Sequence, residues 1–296
     1  MISWTTLHQP VLLREIVDLM SPRDGGIYVD CNLGMGGHTA ALLEASAPSG
    51  RVIGLDWDED AVAGARQNLE SYGGRVEIIS CNFSRISEVI EEAGLGGVDG
   101  ILLDLGFSSL QLEESGRGFS FQRSEPLDMR MDVRRAVTAA DLLNSCRQEE
   151  LADMFYKYGQ ERQSRRIAAR IVDFRKKEMI RTTDQLVSII EKAVPRRFHP
   201  KNIHVATKVF QALRIAVNEE LDNLEKVLGQ GSKWLKPGGR FCVISFHSLE
   251  DRLVKSIFLA RPDLEVITRK PVKPSAEEIS SNPRARSARL RVAAKK

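Results

Sequence analysis

Short apolar runs alternate with stretches of helical periodicity in the first third of the chain. Four of these runs have the character of buried strands: 26–30, 51–56, 76–80 and 98–104. Helical stretches begin near Thr39, Ala61 and Ile86, between successive runs. Apolar strands that alternate with helices are typical of a parallel sheet with both faces covered. We therefore predict an α/β fold built on a doubly wound, parallel-rich sheet.

This alternation stops after the fourth run. Residues 112–203 contain no comparable strand pattern, but Ser145-x-x-Gln148 and Thr182-x-x-Gln185 resemble the capping boxes that begin helices. A segment of roughly ninety residues is too long for a loop inside a compact domain. We predict an all-helical domain at 112–203, inserted into a discontinuous core of 1–111 and 204–296.

The sheet resumes after the insertion. Apolar residues in 210–228 recur every three or four positions, which predicts one long amphipathic helix. A turn at 236–239 precedes 240–246, which has the pattern of a fifth strand. The end of the chain is rich in Arg, Ser and Ala and has the character of a low-complexity tail.

Composition narrows the class of protein. The chain has 296 residues, of which 42% are hydrophobic and 28% charged, so it is not a disordered polypeptide. We expect no secretory signal at the start, and no apolar run reaches the roughly 18 residues that cross a bilayer. The four cysteines are far apart and form no C-x-x-C pair, so we predict neither disulfides nor a metal site. A cytoplasmic protein with buried thiols is the expectation.

The net charge of +3 conceals two strongly basic segments. Residues 156–181 carry nine basic and three acidic side chains, and residues 269–296 carry nine basic and two acidic ones. Such segregation suggests a polyanionic partner that contacts part of the surface. The alternative is a solvated helix face and a frayed tail. Neither segment has the apolar, aromatic face of a membrane-binding helix.

Candidate binding residues follow the predicted strands. Ligands of open parallel sheets bind beyond the carboxyl ends of the strands, where Asp30, Asp56, Phe83 and Asp104 occur. The glycine-rich residues 34–37 allow close backbone approach. Asp56 lies 22 residues after Gly34, the spacing at which an acid binds two ribose hydroxyls. Together these features predict a cofactor that contains a nucleoside.

The loop after the first strand favours S-adenosyl-L-methionine over a dinucleotide. The third glycine of the dinucleotide fingerprint is replaced by Thr39, and the loop has no P-loop lysine. Asp30 would repel a pyrophosphate but would suit an ammonium group.

Asp104 is the candidate catalytic residue. An exocyclic amine of cytosine or adenine is a poor nucleophile because its lone pair is delocalised into the ring. A group that accepts a hydrogen bond from the amine helps to localise that pair. A hydrolase with Ser108 or Ser245 and His247 is less well supported, because no G-x-S-x-G elbow is present. His247 also has no second metal ligand at a characteristic spacing.

Several longer blocks of sequence resemble the RsmH (MraW) family, the cytosine-N4 methyltransferases of 16S ribosomal RNA. The blocks are His8-Gln-Pro-Val-Leu-Leu, Asp30 to His38, Leu102-Leu-Asp-Leu-Gly with Ser108-Ser109 and Gln111, Arg117-Gly-Phe-Ser-Phe, Pro126-Leu-Asp-Met-Arg-Met-Asp, Phe210-Gln-Ala-Leu-Arg-Ile-Ala-Val-Asn, Ser245-Phe-His-Ser-Leu-Glu-Asp-Arg and Asn282-Pro-Arg-Ala-Arg-Ser. They extend over nearly the whole chain.

The resemblance implies a class I (Rossmann-like) methyltransferase core with a helical domain inserted after the fourth strand. The implied cofactor contacts are Gly36, Gly37, His38, Asp56, Phe83, Asp104 and Gln111. The implied reaction is methylation of N4 of a decoding-centre cytidine in 16S rRNA, within the small ribosomal subunit. This chain departs from the usual family residues at Asn32, Leu110 and Val205.

A base within folded RNA must turn outward before it can react, at a cost of about a few kcal/mol. We expect phosphate contacts to offset this cost, from Arg162, Arg165, Arg166, Arg284 and Arg286. The alternative for the arginines of the insertion is pairing with Glu161 and Asp173. An exposed flank of the insertion could also support a homodimer.

Two other functions remain open at this point. One is an N-methyltransferase that acts on DNA or another RNA. Such enzymes usually have two prolines and an aromatic residue after the catalytic acid or asparagine, and 104–107 lacks the prolines. The other is a ribosome-assembly factor that keeps the cofactor-binding fold without turnover.

Overall fold

The computed structural model describes residues 10–106 and 115–296. The chain divides into two compact units. The first, called the sheet unit, comprises 1–106 and 221–296, and the second, called the helical unit, comprises 107–220.

Within its described residues, the sheet unit contains one seven-stranded sheet. The strands are β1 (Ile27–Asp30), β2 (Arg51–Asp56), β3 (Val76–Ser80), β4 (Val98–Asp104), β5 (Leu235–Ser245), β6 (Leu264–Val266) and β7 (Arg289–Lys295). Their order is β3-β2-β1-β4-β5-β7-β6. Strands β1 to β5 are parallel to one another, whereas β7 is antiparallel to both β5 and β6. The predicted doubly wound, parallel-rich sheet is confirmed.

The helices of the sheet unit are α1 (Leu13–Met20), α2 (Gly37–Ala45), α3 (Glu59–Asn68) and α4 (Ile86–Glu92), and after the insertion α10 (Glu220–Trp234), α11 (Ser248–Ala260) and α12 (Ala276–Ser281). Of these, α2, α3 and α4 begin close to the starts that the sequence alternation predicts. All of β4 except its last residue is buried, as expected for a strand covered on both faces. Cys31, Cys81 and Cys242 are buried and unpaired.

The basic end of the chain is not a frayed tail. Residues Arg289–Lys295 form β7, in which Leu290 and Val292 are fully buried. The cationic residues of this strand have carboxylate partners: Arg289 and Arg291 pair with Asp251 of α11, and Lys295 pairs with Asp263. Because these charges are compensated, a segment with a basic composition can complete the sheet.

The helical unit contains α5 (Ala139–Ser145), α6 (Gln148–Gly159), α7 (Ser164–Arg175), α8 (Thr183–Ala193) and α9 (Thr207–Asn218). Helix α6 packs against α7 and α9. The capping box predicted at Thr182 is confirmed, since its side chain and that of Gln185 bond reciprocally to the backbone. The one predicted at Ser145 is wrong: Ser145 ends α5, and Arg147 with Glu150 begins α6.

The single long helix predicted over 210–228 is instead two helices. Between α9 and α10 lies Glu219, with a left-handed φ of 52°. The preceding residue, Asn218, is fully buried. Its side chain accepts a hydrogen bond from the N–H of Met131 and donates one to the carbonyl of Met129. These long-range contacts fix Asn218 at the end of α9. The sheet unit resumes at Leu221, whereas the predicted core resumes at 204.

In the described ranges, every helix falls short of the length and apolarity needed to cross a membrane.

Candidate active site

The carboxyl edge of the sheet brings the predicted strand-end acids to one side of the sheet unit. The chain passes outward from β1 through β2 to β3 and then returns to β4 on the other side of β1. The switch point, where open parallel sheets bind ligands, is thus between β1 and β4. Asp30 ends β1, Asp56 ends β2 and Asp104 ends β4.

The glycine-rich loop after β1 is tied to the end of β2. The N–H of Gly34 donates to Asp56 Oδ2 at 2.9 Å. Gly36 has a φ of 86°, and a Cβ there would lie 2.8 Å from the side chain of Leu69. Glycine is therefore required at position 36 on both conformational and steric grounds. Gly37 then begins α2, with His38 as its second residue.

Asp56 retains acceptor capacity beyond the loop. Its Oδ1 accepts the N–H of Asp58 at 3.0 Å, and its Oδ2 accepts that of Gly34. An ionised carboxylate has about four lone-pair sites, so sites remain for the hydroxyls of a ribose. Burial raises the pKa of Asp56 to about 6, although the two N–H donors act in the opposite direction.

Asp30 is fully buried, and it bonds to both the glycine-rich loop and helix α2. Thr39 Oγ1 donates to its Oδ2 at 2.7 Å, and the N–H of Asn32 donates to its Oδ1 at 3.3 Å. Burial raises the pKa of Asp30. Thr39 occupies the third glycine position of the dinucleotide fingerprint. From the sequence, Thr39 served only as an argument against a dinucleotide cofactor. The structure shows what that residue contributes, which is the hydrogen bond that anchors Asp30.

His38 and Asp104 form a pair at the switch point. The imidazole Nε2 lies 3.3 Å from Asp104 Oδ2, and His38 is only 5% exposed. Burial alone would lower the pKa of His38, but the nearby carboxylate of Asp104, together with Asp30 and Glu278, raises it overall. The pair therefore favours an imidazolium beside a carboxylate. Sequence reasoning named both residues without predicting this contact.

Unsatisfied polar atoms surround this pair. Among the described residues, both ring nitrogens of His38, Asp104 Oδ1 and Asn32 Oδ1 are buried and make no hydrogen bond, although His38 Nε2 is within ion-pair distance of Asp104. Buried polar atoms are nearly always paired in native proteins, so these atoms at the carboxyl edge indicate a place for a ligand or ordered water. This observation, with the loop and Asp56, fits S-adenosyl-L-methionine, whose polar groups would complete the site.

Phe83 supplies an apolar surface beside the third strand. It begins the short 3₁₀ helix Phe83–Arg85, and its ring centroid lies 6.4 Å from that of Trp57. Trp57 was not among the predicted site residues, although it directly follows Asp56. Both rings are largely buried.

The remaining predicted residues have different outcomes. Gln111 and Leu110 lie outside the described residues, so the role of Gln111 stays a prediction. Arg284 and Arg286 are exposed on the 3₁₀ helix Pro283–Ser287 of the sheet unit.

His247 has a structural role. Its Nδ1 caps α11 by accepting the N–H of Glu250.

The arginines of the insertion are exposed, and their alternative explanation is wrong. Asp173 pairs with Lys176, and Glu161 accepts the N–H of Gln163. In the part of the chain that the structure describes, neither acid pairs with the three predicted arginines, Arg162, Arg165 and Arg166.

The sheet order, the glycine-rich turn after β1 and the acid that ends β2 define a class I, Rossmann-like, S-adenosylmethionine-dependent methyltransferase fold. A solved structure of a candidate rRNA-methylase from Clostridium thermocellum has this fold, with a TM-score of 0.50, 13% identity and coverage of 98% of this chain and 100% of that one.

Residues 5–296 match the MraW methylase family, and the chain belongs to that family. It is therefore an enzyme, a methyltransferase. A protein of Desulfotalea psychrophila named Ribosomal RNA small subunit methyltransferase H is 55% identical over 289 residues, which are 98% of each chain. A protein of the same name from Geotalea uraniireducens is 49% identical over an alignment that covers 97% of this chain and 98% of the relative. The family resemblance read from the sequence blocks is confirmed.

Proposed function

We propose that this enzyme transfers a methyl group from S-adenosyl-L-methionine to N4 of a decoding-centre cytidine in 16S rRNA, within the small ribosomal subunit and in the cytoplasm. The likeness to small-subunit rRNA methyltransferases over almost the full length supports the RNA substrate. The observation that carries the chemistry is the pair of His38 and Asp104, with a free carboxylate oxygen at the switch point.

The cofactor would be held by the residues of the carboxyl edge. Asp56 would accept hydrogen bonds from the ribose hydroxyls, and Phe83 would pack beside the adenine. The loop at Gly36, Gly37 and His38 would lie against the methionine part, and Gln111 would close the pocket. When bound, the cofactor supplies an electrophilic methyl group on its sulfonium.

Asp104 would act on the amine of the cytosine. Its Oδ2 lies 3.3 Å from His38 Nε2, whereas Oδ1 is buried and has no partner among the described residues, so Oδ1 would accept a hydrogen bond from the N–H of an amine that enters the crevice. That hydrogen bond localises the lone pair of the amine and directs it toward the methyl group that is transferred. The amine loses one proton on methylation, and Asp104 is its proposed first acceptor. His38 is a positioning residue in this scheme, because it fixes the carboxylate.

The RNA would be bound through its phosphates. Arg162, Arg165 and Arg166 present uncompensated charges on the helical unit, and Arg286 is exposed on the sheet unit. Arg284 is the fifth residue of this proposed set. Contacts of this kind would offset the cost of turning the cytidine outward. Association into a homodimer stays a prediction.

The decisive experiment compares substrates. Purified enzyme is incubated with labelled cofactor and, separately, with small subunits from cells that lack the enzyme, naked 16S rRNA and DNA of matched length. We expect N4-methylcytidine in the digest of the small subunits, identified by mass spectrometry of nucleosides. Label on DNA alone, or on a different nucleoside of the RNA, would contradict the proposal.

A further inference from the structure

A cavity of about 350 Å³ lies beside β6, away from the glycine-rich loop. Its apolar wall is formed by Phe258 and Leu259 of α11 and by Val266 of β6. Leu259 is 65% exposed, so an apolar side chain is accessible at the rim of this cavity. The volume is at the lower end of the range for small-molecule sites, about 300–1,000 Å³, and suits one nucleotide rather than a long strand.

Two uncompensated cations line the same cavity. Lys255 and Arg269 are exposed, and neither has a hydrogen-bond or ion-pair partner within 10–106 and 115–296. Arg291 also lines the cavity, but its Nε lies 2.6 Å from Asp251 Oδ1, so its charge is compensated. The cavity thus combines an apolar wall with two free positive charges at its rim. An anion attached to a flat apolar group fits this combination.

The register of the sheet relates this cavity to the candidate active site. Asp104 of β4 faces Ile244 of β5, Ile244 faces Leu290 of β7, and Leu290 pairs with Val272 in the segment after β6. Three strand spacings separate Asp104 from Val272, or about 14 Å. Val272 does not line the cavity, and Arg269, three residues earlier on the same segment, lies up to about 10 Å from it, so the path from Asp104 to the cavity is longer than three strand spacings. A few nucleotides of single-stranded RNA can span that distance.

We propose that this cavity binds a nucleotide of the substrate RNA close to the methylated cytidine, with its base against Leu259 and Val266 and its phosphate between Lys255 and Arg269. The proposal rests on the function proposed above. RNA is favoured over an acidic peptide because its phosphate and base match the free cations and the apolar wall at once.

The test uses the full-length enzyme with Lys255 and Arg269 both replaced by Ala. Binding of a 16S rRNA fragment that contains the decoding centre is measured by fluorescence anisotropy over a series of salt concentrations. We expect affinity to fall by about tenfold or more at low salt. The slope of log affinity against log salt should shrink by about 0.7 for each lost contact.

The matched control is Lys233→Ala. Lys233 is an exposed lysine near the end of α10, just before β5, and it does not line the cavity. Its loss should leave RNA affinity unchanged. Calorimetric affinity for S-adenosyl-L-methionine and the Tm should be the same in all variants. Leu259→Asp provides a second, independent variant, since it adds a negative charge at an exposed position and should also weaken RNA binding.

Wild-type affinity and salt slope in both the double variant and Leu259→Asp would overturn the proposal. So would binding of a free mononucleotide that the double variant loses while its RNA binding is intact, because the cavity would then serve a small ligand. If the wild-type enzyme methylates the cytidine while these variants bind RNA normally, only the cavity proposal fails. If the wild type makes no N4-methylcytidine, the proposed function itself fails.

Discussion

The Nε2 atom of His38 lies 3.3 Å from Oδ2 of Asp104, and the two residues are contributed by different parts of the carboxyl edge. His38 is the second residue of α2, and Asp104 is the last residue of β4. The contact crosses the switch point between β1 and β4, where a bound ligand would lie. It engages one carboxylate oxygen and leaves the other without a partner among the described residues, which fits the action on an amine proposed above.

Replacement of Asp104 by Asn should abolish most of the turnover without loss of the fold. The amide keeps the shape of the side chain but accepts hydrogen bonds more weakly and cannot take up a proton. We expect kcat to fall by about 10²–10⁴-fold. Single-turnover methylation of small subunits measures the chemical step, and calorimetry with the cofactor serves as the control for binding. Turnover within a few fold of the wild type would show that the acid is misassigned.

The same variant should change the titration of His38. In the wild type the nearby carboxylate of Asp104 raises the pKa of His38 against the opposing effect of burial. Without that carboxylate, burial acts against a weaker set of partners, so the pKa of His38 should drop. NMR titration of the imidazole resonances in wild type and Asp104→Asn measures the difference. Identical titration curves would mean that the pair is not formed in solution.

Cofactor affinity should depend on pH through Asp56. Burial raises the pKa of this carboxyl to about 6 in the free enzyme. Hydrogen bonds from ribose hydroxyls favour the ionised form, so binding lowers the pKa and releases protons. Affinity should therefore increase as the pH rises through about 6 and then level off. Titration calorimetry between about pH 5 and pH 7 tests this expectation.

Asp56→Asn is the matched control for that experiment. It should bind the cofactor more weakly at every pH, and its affinity should vary less with pH because the titrating group is gone. A wild-type affinity that is flat over the same interval would remove Asp56 from the ribose site.

Much of this site could be predicted from the sequence because its framework is local. Apolar runs mark β1, β2 and β4, and the acids that end them are adjacent in sequence to those runs. The contacts that could not be predicted join distant residues. Asn218 ends α9 because it bonds to the backbone of Met129 and Met131. The spacing of apolar residues continues through this position and does not reveal those hydrogen-bond partners.

The end of the chain illustrates the same limit. Composition alone favours a solvated tail for residues rich in arginine. Arg291 is buried in β7 only because Asp251, on another element, accepts its hydrogen bond at 2.6 Å. A charge count along the sequence cannot distinguish cations paired in this way from the free cations at Lys255 and Arg269.

Thr39 provides a test of the loop anchor. Thr39→Val keeps the shape of the side chain but removes the hydroxyl that donates to the fully buried Asp30. We expect a loss of about 1–3 kcal/mol in the free energy of unfolding, because a buried acceptor is left unsatisfied. Urea denaturation measures the change. Thr39→Ser, which keeps the hydroxyl, is the control, and equal stability of the Val and Ser variants would contradict the anchoring role.

Arg162, Arg165 and Arg166 should act as a group in RNA binding. They are exposed, and nothing in the described part of the helical unit compensates their charges. Replacement of all three by Ala should weaken binding of the 16S rRNA fragment and reduce the salt slope by about 2. Lys176→Ala is the matched control, since Lys176 already pairs with Asp173 at 3.0 Å and its removal should leave the slope unchanged. Because the triple variant retains the whole sheet unit, cofactor affinity should be that of the wild type. If the dependence of RNA affinity on salt is unaltered, these arginines belong to a solvated helix face. A loss of cofactor binding would indicate damage to the fold rather than to an RNA contact.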